Sequence, residues 1–244
     1  MTSLSARLKA QARGHLSGRY SVLMVAFIIA NILTNLPSFF MSSAGASQSR
    51  TSMLIDLAIS FLVMLVSYIF VVGEDHICLK YARDKAQVPI SEMWYGFKNH
   101  ADDAIKIAFL LFIKMLTASV FLILLSYYWR YKNHTLPVLI ITICVAVITA
   151  CVWIRIALTY SMVFFILIDF PSKTPKQIME ESKNMTKNRM WQLFGLTCSF
   201  AGLYILGILS FGLGMLWVRP YVRMTMTEYY LSLLPGKNVI DVAV

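Results

Sequence analysis

Charged residues are scarce in this sequence. Only 14% of its 244 residues are Asp, Glu, Lys or Arg, whereas soluble domains contain roughly 25%. A soluble fold of this length would need a larger polar surface, yet 58% of the residues are hydrophobic. A surface that faces lipid removes that need. The composition therefore excludes an ordinary soluble domain and predicts an all-α protein that crosses a membrane several times.

Acidic residues are the scarcer of the charged types, with 12 Asp and Glu against 22 Lys and Arg and a net charge of +10. A basic balance can indicate binding to nucleic acid. Here the basic residues are spread over short loops and the ends of apolar stretches, and no run contains five or more. That distribution is typical of cytoplasmic loops in a membrane protein, and we expect no nucleic-acid partner.

Motifs that carry catalysis or metal binding are also missing. The four cysteines show no CxxC or Cys/His spacing of a zinc site. No GxSxG, HExxH, phosphate-binding loop or GxGxxG occurs. A polar cluster in the 73–103 loop has no diagnostic ligand spacing, and we interpret it as a solvated loop rather than a metal site; it consists of Glu74, Asp75, His76, His100, Asp102 and Asp103. The sequence predicts no catalytic residue, no metal and no cofactor.

Several apolar stretches are long enough to cross a hydrocarbon core of about 30 Å, which needs roughly 20 helical residues. They are 20–40, 53–72, 104–128, 136–168 and 191–211. The first is longer than the core of a usual signal peptide and is expected to stay uncleaved. The fourth would extend about 50 Å at about 1.5 Å per residue, so it must tilt, break or project. No repeat or linker appears, and 1–244 is predicted to be one domain.

The segment after the fifth stretch has two interpretations. In one, SFGLGM turns the chain and a sixth helix returns over 213–233, because Gly212 and Gly214 tolerate a tight turn. In the other, residues 219–234 lie on the outer surface. The segment is poorly amphipathic, which favours the returning helix. We therefore predict a bundle of about six transmembrane helices.

Basic residues predict the orientation of this bundle. The segments 1–19, 73–103 and 169–190 hold most of the loop Lys and Arg, which places the N-terminus and, with six spans, the C-terminus in the cytoplasm. Two interfacial helices are expected on this side. Segment 91–99 is rich in aromatic residues, and segment 174–190 opens with a capping box formed by Thr174 and Gln177 around Pro175.

Charged residues inside the apolar stretches are the best candidates for a site. Lys114, Arg155, Arg219 and Arg223 outnumber the embedded carboxylates. A proton or cation pathway would be expected to show embedded carboxylates. A cationic excess favours an anionic partner such as a lipid headgroup, with pairing to Glu228 or backbone carbonyls as the structural alternative.

Three patches carry a resemblance to a known family. WYGFK (94–98), ESKNMTKNRMWQLFGLTCSF (181–200) and GLGMLWVRPYVRMTMTEYY (212–230) resemble a bacterial family of integral membrane proteins known as domain of unknown function nine-seven-five. The matching positions are Tyr95, Gly96, Phe97, Ser182, Met185, Trp191, Phe194, Gly212, Gly214, Trp217, Pro220, Tyr221 and Tyr229. Asn188 stands where the family pattern has glycine. The layout is also similar to the membrane part of some glycerophosphodiester phosphodiesterases. The resemblance implies a bacterial cytoplasmic membrane protein and no particular activity.

The leading functional hypothesis is a non-enzymatic accessory or scaffold protein that binds an anionic lipid or peptide, with membrane lipids and a membrane protein as expected partners. A small transporter for an anionic or amphipathic substrate is the first alternative. An intramembrane enzyme of lipid metabolism is the second, although it would need a paired nucleophile or a metal that the sequence does not show.

Overall fold

The computed structural model describes residues 4–43, 50–83, 88–131 and 136–234, with side chains described outside 35–43, 50–53, 129–131 and 136–138. The helices are α1 (Leu4–Leu16), α2 (Tyr20–Ser43), α3 (Arg50–Arg83), a 3₁₀ helix (Ile90–Trp94), α4 (Tyr95–Asn99), α5 (Ala101–Tyr131), α6 (Leu136–Thr159), α7 (Val163–Asp169), α8 (Pro175–Lys187), α9 (Met190–Cys198), α10 (Ala201–Leu209) and α11 (Met215–Leu233). No strand occurs in these ranges, so the predicted all-α fold is confirmed. The C-terminal tail, with Lys237, lies outside the described residues.

Four segments are long and apolar enough to cross a membrane: Leu54–Arg83, Ala101–Tyr128, Leu139–Asp169 and Met190–Leu209. A fifth results if α1 and α2 are counted together, although the chain bends by 93° between them. Helix α11 is not among them, because it carries Arg219, Arg223 and Glu228. The membrane class is therefore shown, and a sixth crossing stays a prediction.

Three of the predicted apolar stretches differ from the helices in the structure. Helix α3 continues to Arg83 instead of ending near Val72. The fifth stretch is divided into α9 and α10 after Cys198. The long fourth stretch breaks after Thr159 and resumes at Val163. At the break, the Thr159 carbonyl accepts hydrogen bonds from Ser182 Oγ at 2.9 Å and Thr186 Oγ1 at 3.2 Å. These hydroxyl groups of α8 satisfy a carbonyl that the end of a helix leaves without a backbone partner.

A tight corner joins α10 to α11. Phe211 and Gly212 have φ values of 54° and 84°, in the left-handed region that glycine adopts easily. A Cβ on Gly214 would lie 2.9 Å from Gly207 Cα, so the two helices approach closely. Helix α11 then returns against α1, α2 and α3 with much of its length buried. Helix α11 therefore packs within the bundle, while both interpretations of its position relative to the membrane stay predictions.

The residues before α2, which were predicted to be a cytoplasmic segment, form a helix. Helix α1 buries Leu8, Ala12 and Leu16, which are spaced by four residues and therefore share one face. That face packs on α11. The charged side chains of α1 lie elsewhere on its surface, as expected for an amphipathic helix at a membrane interface.

The 3₁₀ helix and α4 lie against α3. A Cβ on Gly73 would approach Met93 O to 1.9 Å, and one on Gly96 would approach Ile69 O to 2.4 Å. Both glycines are needed because backbone meets backbone at these points. The contact places Met93 in the core and leaves Trp94 partly exposed. Segment 91–99 is thus helical, as the sequence predicted.

Helix α8 has the predicted capping box. The Gln177 backbone N–H donates to Thr174 Oγ1, and the Thr174 backbone N–H donates to Gln177 Oε1. Ile178, Met179 and the Ser182 side chain face the core, and the opposite face is exposed. The helix packs on α5, α6 and α7 at one end of the bundle.

The end of the bundle that carries α8 is called the basic end. Arg83 of α3, Asp169 of α7 and Tyr230 of α11 meet there. Arg83 donates two hydrogen bonds to Asp169, from Nη1 to Oδ1 at 2.8 Å and from Nη2 to Oδ2 at 2.5 Å. Tyr230 OH also donates to Asp169 Oδ2, at 2.9 Å. A bidentate pair with a third donor fixes the relative positions of three helices.

Candidate binding site between α2, α3 and α11

A buried ion pair joins α3 to α11. Arg223 Nε lies 2.9 Å from Asp75 Oδ1, and the Asp75 side chain is only 1% exposed, against 27% for Arg223. The contact lacks the alignment of a hydrogen bond, so Coulomb attraction is its main component. An isolated carboxylate would be expensive to bury in this apolar setting. The pair therefore explains how a charged segment continues as helix inside the bundle.

A second carboxylate lies one residue earlier and faces a cavity. Glu74 is 6% exposed and borders a cavity of about 350 Å³ between α2, α3, α10 and α11. The apolar walls are Phe27, Ala30, Phe70, Val71, Val222 and Met226. The polar walls are Asn31, Thr34, Ser67, Glu74, Tyr204, Arg219 and Arg223. The volume lies in the range of ligand pockets, about 300–1,000 Å³.

Arg219 contributes a cation to this cavity. It lies one helical turn before Arg223 on α11, so the two side chains share a face, and both line the cavity. Arg219 is exposed, and no carboxylate within 4 Å pairs with it among the residues that the structure describes. Glu74 is within electrostatic range of both arginines. The site therefore holds charges of both signs beside an apolar wall.

A separate polar cluster connects α3 with the 3₁₀ helix near the basic end. The His76 ring stacks on Tyr95, with ring centroids 3.6 Å apart. Glu92 Oε1 accepts a hydrogen bond from Lys80 Nζ at 2.8 Å, and Glu92 Oε2 lies 3.2 Å from His76 Nε2. The hydrogen bond from Lys80 holds the pKa of the Glu92 carboxyl below its usual value. Burial lowers the pKa of His100, whose Nε2 is 3.2 Å from Tyr95 OH.

The polar cluster predicted for the 73–103 loop is therefore mostly buried, and its interpretation as a solvated loop was wrong. Glu74, Asp75, His76 and His100 are each less than 10% exposed. Helix α3 continues through the first three, and Arg223 and Glu92 provide charged partners for Asp75 and His76. Across the described parts of the chain, no three His, Cys, Asp or Glu side chains are placed to hold a metal ion.

Most family-motif positions have structural roles. Phe97 packs edge-on against Phe70, with centroids 4.9 Å apart, and Tyr221 packs against Phe200 at 5.6 Å. Met185 packs against the core. Pro220 is buried near the start of α11, whereas Trp217 is 55% exposed. Together with Gly96, Ser182, Gly212 and Gly214, these residues fix the helix contacts and the corner described above.

A family model described as "Protein of unknown function (DUF975)" matches residues 1–237. The chain belongs to this family. Searches of curated proteins and of solved structures found no match. Membership in DUF975 confirms the resemblance carried by the three sequence patches, whereas the similarity to glycerophosphodiester phosphodiesterases stays a prediction. The family description assigns no activity to the cavity.

The structure brings together only two of the four predicted anion contacts of this DUF975 chain. Arg219 and Arg223 share the cavity. Arg155 is exposed on α6, and Lys114 is exposed on α5, with Nζ 5.4 Å from the centroid of the Tyr160 ring. Neither Arg155 nor Lys114 lines the cavity.

Glu228 was one of the alternatives considered as a partner for the arginines, and the structure gives Arg223 a different carboxylate. Glu228 Oε1 lies 3.5 Å from His15 Nε2 on α1, whereas Arg223 is paired with Asp75. Residues 223 and 228 lie on different faces of α11, because five residues correspond to about 500° of rotation, or 140° beyond a full turn.

Sequence reasoning missed Glu74 and Asp75 as members of the site, because it ended the second span near Val72. One signal pointed to them. GEDH directly follows an apolar run, and two embedded arginines elsewhere require partners. An acidic pair that extends an apolar helix is the natural match for them. Tyr204 carried no such signal, since its place in the cavity depends on how α10 packs.

Proposed function

We propose that this membrane protein is a non-enzymatic accessory protein that binds the phosphate-bearing headgroup of a membrane lipid in the α2–α3–α11 cavity. The observation that carries the proposal is Arg219. Its side chain borders the cavity, and in the described part of the chain it has no carboxylate partner within 4 Å. A guanidinium presents a planar fork of donors that matches the geometry of phosphate oxygens.

The lining of the cavity supports a lipid over a small inorganic anion. It combines apolar side chains, including Phe27, Phe70 and Met226, with two arginines. A ligand that contacts both kinds of side chain has a charged headgroup and an apolar part. Arg223 uses Nε for Asp75, and a guanidinium has five N–H donors. Arg223 therefore keeps donors for the same phosphate.

The test compares Arg219→Leu with Arg155→Leu as a matched control, since both residues are exposed arginines on apolar helices but only Arg219 borders the cavity. We expect Arg219→Leu to reduce the phospholipid that remains bound after gentle purification, measured by mass spectrometry, and Arg219→Lys to reduce it less. Arg155→Leu should leave it unchanged. Equal retention by wild type and Arg219→Leu would contradict the proposal.

Transport is a second candidate function, favoured by one specific observation. Glu74 and Asp75 are buried in helix α3, and Glu74 borders the cavity. Intramembrane carboxylates often mark proton or ion paths. In reconstituted vesicles, a transporter would move a labelled phospholipid between leaflets or release a trapped anion, and Glu74→Gln would slow it. Movement no faster than in protein-free vesicles would exclude transport and leave binding intact.

We also propose that the basic end faces the cytoplasm of a bacterial cell. The basic segments 1–19 and 169–190 support this orientation through the bias of Lys and Arg toward inner loops. Single cysteines replacing Lys176 on α8 and Phe211 at the opposite corner, in a background without native cysteines, test it. An impermeant thiol reagent added to intact cells should label the cysteine at position 211 alone. The reverse pattern would overturn the orientation.

A further inference from the structure

We infer that the headgroup bound in this cavity is zwitterionic and carries a primary ammonium beside its phosphate, with Glu74 as the acceptor for that ammonium. The inference rests on the proposed function, in which Arg219 binds the phosphate. It narrows the ligand to an aminophospholipid of the phosphoethanolamine type. Two charged side chains at the cavity, Glu74 and Arg219, favour such a ligand.

Glu74 is a buried carboxylate that lacks a close protein partner. It is 6% exposed and borders the cavity. Within the described ranges, neither a hydrogen bond nor an ion pair within 4 Å reaches its carboxylate. Arg223 is the strongest charge near Glu74, but its Nε faces Asp75 at 2.9 Å. A buried charge without a partner is costly, so a cationic group in the cavity would stabilise Glu74.

The balance of charge favours a ligand with both signs. Arg223 and Asp75 neutralise each other, which leaves Arg219 as a cation and Glu74 as an anion at the cavity wall. An anionic headgroup would satisfy Arg219 and be repelled by Glu74. A purely cationic ligand would pair with Glu74 and be repelled by Arg219. A zwitterion satisfies both residues without adding net charge to an apolar region.

The remaining polar groups favour a primary ammonium over a quaternary one. Ser67 and Thr34 line the cavity, and their hydroxyl groups donate to backbone carbonyls of their own helices. Their oxygens therefore keep lone pairs that accept hydrogen bonds. A primary ammonium has three N–H donors for these oxygens and Glu74, whereas a quaternary ammonium has none. Phe27 and Phe70 can pack against the ethylene carbons.

The size of the cavity is compatible with such a headgroup. Its volume of about 350 Å³ equals roughly a dozen water molecules at about 30 Å³ each. A phosphoethanolamine group has fewer than about ten heavy atoms and fits within that space. The acyl chains would then contact apolar lining residues such as Val222 and Met226.

The experiment compares the retention of three phospholipids by the full-length protein in detergent: phosphatidylethanolamine, phosphatidylglycerol and phosphatidylcholine. Native mass spectrometry counts the bound molecules at equal lipid concentration. We expect wild type to favour phosphatidylethanolamine by about tenfold over each of the others, since a charge-assisted hydrogen bond is at stake. Glu74→Gln should remove this preference and keep phosphatidylglycerol bound. Arg219→Gln should weaken the binding of all three.

Two further variants keep the test decisive. Asp56→Asn removes a carboxylate of the same helix that lies outside the cavity. It should leave the lipid preference unchanged. Glu74→Asp keeps the negative charge but shortens the side chain by one methylene, and it should lower the preference for phosphatidylethanolamine. This variant replaces Glu74→Gln in the test if Glu74→Gln folds poorly. A thermal melt without added lipid checks that each variant is folded.

The outcomes separate the inference from the proposed function. If wild type prefers phosphatidylglycerol, or if Glu74→Gln keeps the preference for phosphatidylethanolamine, the zwitterionic ligand is wrong while phosphate binding survives. If Arg219→Gln binds all three lipids as wild type does, both are wrong. Competition by soluble phosphoethanolamine that depends on Glu74 would assign the site to a free zwitterion and overturn its assignment to a lipid.

Discussion

Charged side chains are exposed on the α5–α6 hairpin, whereas the core formed by α2, α3 and α11 buries an ion pair. The hairpin exposes its apolar side chains, such as Phe121, Ile140 and Ile148, and its embedded cations Lys114 and Arg155 are exposed as well. A side-chain hydrogen bond from Trp153 Nε1 to Ser119 Oγ, at 3.1 Å, joins its two helices.

The core, in contrast, buries Asp75 against Arg223 and surrounds them with helices. Apolar helices gain little from association in lipid, where the surroundings are as apolar as the helices themselves. Polar contacts and close backbone approach therefore carry more of the association in the core. The hairpin packs on α3, where Phe61 contacts the rings of Phe109 and Phe112, and on α8. Four predictions test this difference, beginning with the largest expected effect.

Breaking the buried ion pair should have the largest effect. Asp75→Leu leaves Arg223 without its partner, and we expect the free energy of unfolding to fall by about 3 kcal/mol. This value is at the low end of the range for buried pairs because Arg223 is partly exposed. Replacing both residues by leucine should recover part of the loss. Arg155→Leu on the hairpin should not destabilise, since a charge leaves an apolar surface. Thermal and denaturant unfolding in detergent measures all three; wild-type stability in Asp75→Leu would show that the pair does not hold α3 to α11.

The close approach of the 3₁₀ helix to α3 gives the second effect. Gly73→Ala would place a Cβ 1.9 Å from Met93 O, and the backbone must shift to relieve the contact. We expect a loss of about 1–3 kcal/mol, the usual range for overpacking. Gly195→Ala on α9 is the control because nothing lies within 4 Å of its added Cβ, and alanine favours a helix by up to about 1 kcal/mol. Equal melting temperatures for the two variants would refute the prediction.

The junction between hairpin and core should show a smaller effect. Ser182→Ala removes the hydrogen bond to Thr159 O at the break between α6 and α7. We expect the free energy of unfolding to fall by about 1 kcal/mol. Amide exchange at residues 160–162 should rise more than exchange in the middle of α3. Thr197→Ala is the control, since its hydroxyl donates to Leu193 O of its own helix. Unchanged exchange at the break would show that Ser182 does not fix the junction.

The smallest effect concerns pH. The folded state lowers the pKa of Glu92 through Lys80, so the folded protein binds a proton less readily than the unfolded chain. The resulting stability is present above the unfolded pKa of about 4.5 and is lost as the pH falls through the folded pKa. Unfolding midpoints measured from about pH 6 to about pH 3 should fall more steeply for wild type than for Glu92→Gln. Identical slopes would show that the Lys80–Glu92 contact adds no stability.

Local chemistry accounts for the features that the sequence predicted well. The capping box at Thr174 and the corner at Gly212 depend on residues within a few positions of each other, and both occur in the structure. The helical segment at 91–99 was found through its aromatic residues. The amphipathic face of α1 was missed because the charged residues of segment 1–19 were interpreted only as a cytoplasmic segment. Leu8, Ala12 and Leu16 nevertheless have the spacing of a buried helix face.

The candidate site was predicted only in part. Arg219 and Arg223 were found because cations inside apolar stretches require an explanation. Arg155 satisfied the same criterion but lies on the exposed side of α6, and no sequence pattern distinguishes the two cases. Glu74 and Asp75 were assigned to a loop because they follow an apolar run, although the helix continues through them to Arg83.

By itself, the sequence determined that this chain is helical and belongs in a membrane, because an apolar segment of about 20 residues satisfies its backbone hydrogen bonds only within itself. It also determined where tight turns and helix starts occur, since those depend on neighbouring residues. Tertiary structure alone decided that Asp75 meets Arg223, that Glu74 faces a cavity and that Arg155 does not. The reason is that the burial of a charge depends on which faces of distant helices come together, and that information is spread over the whole chain.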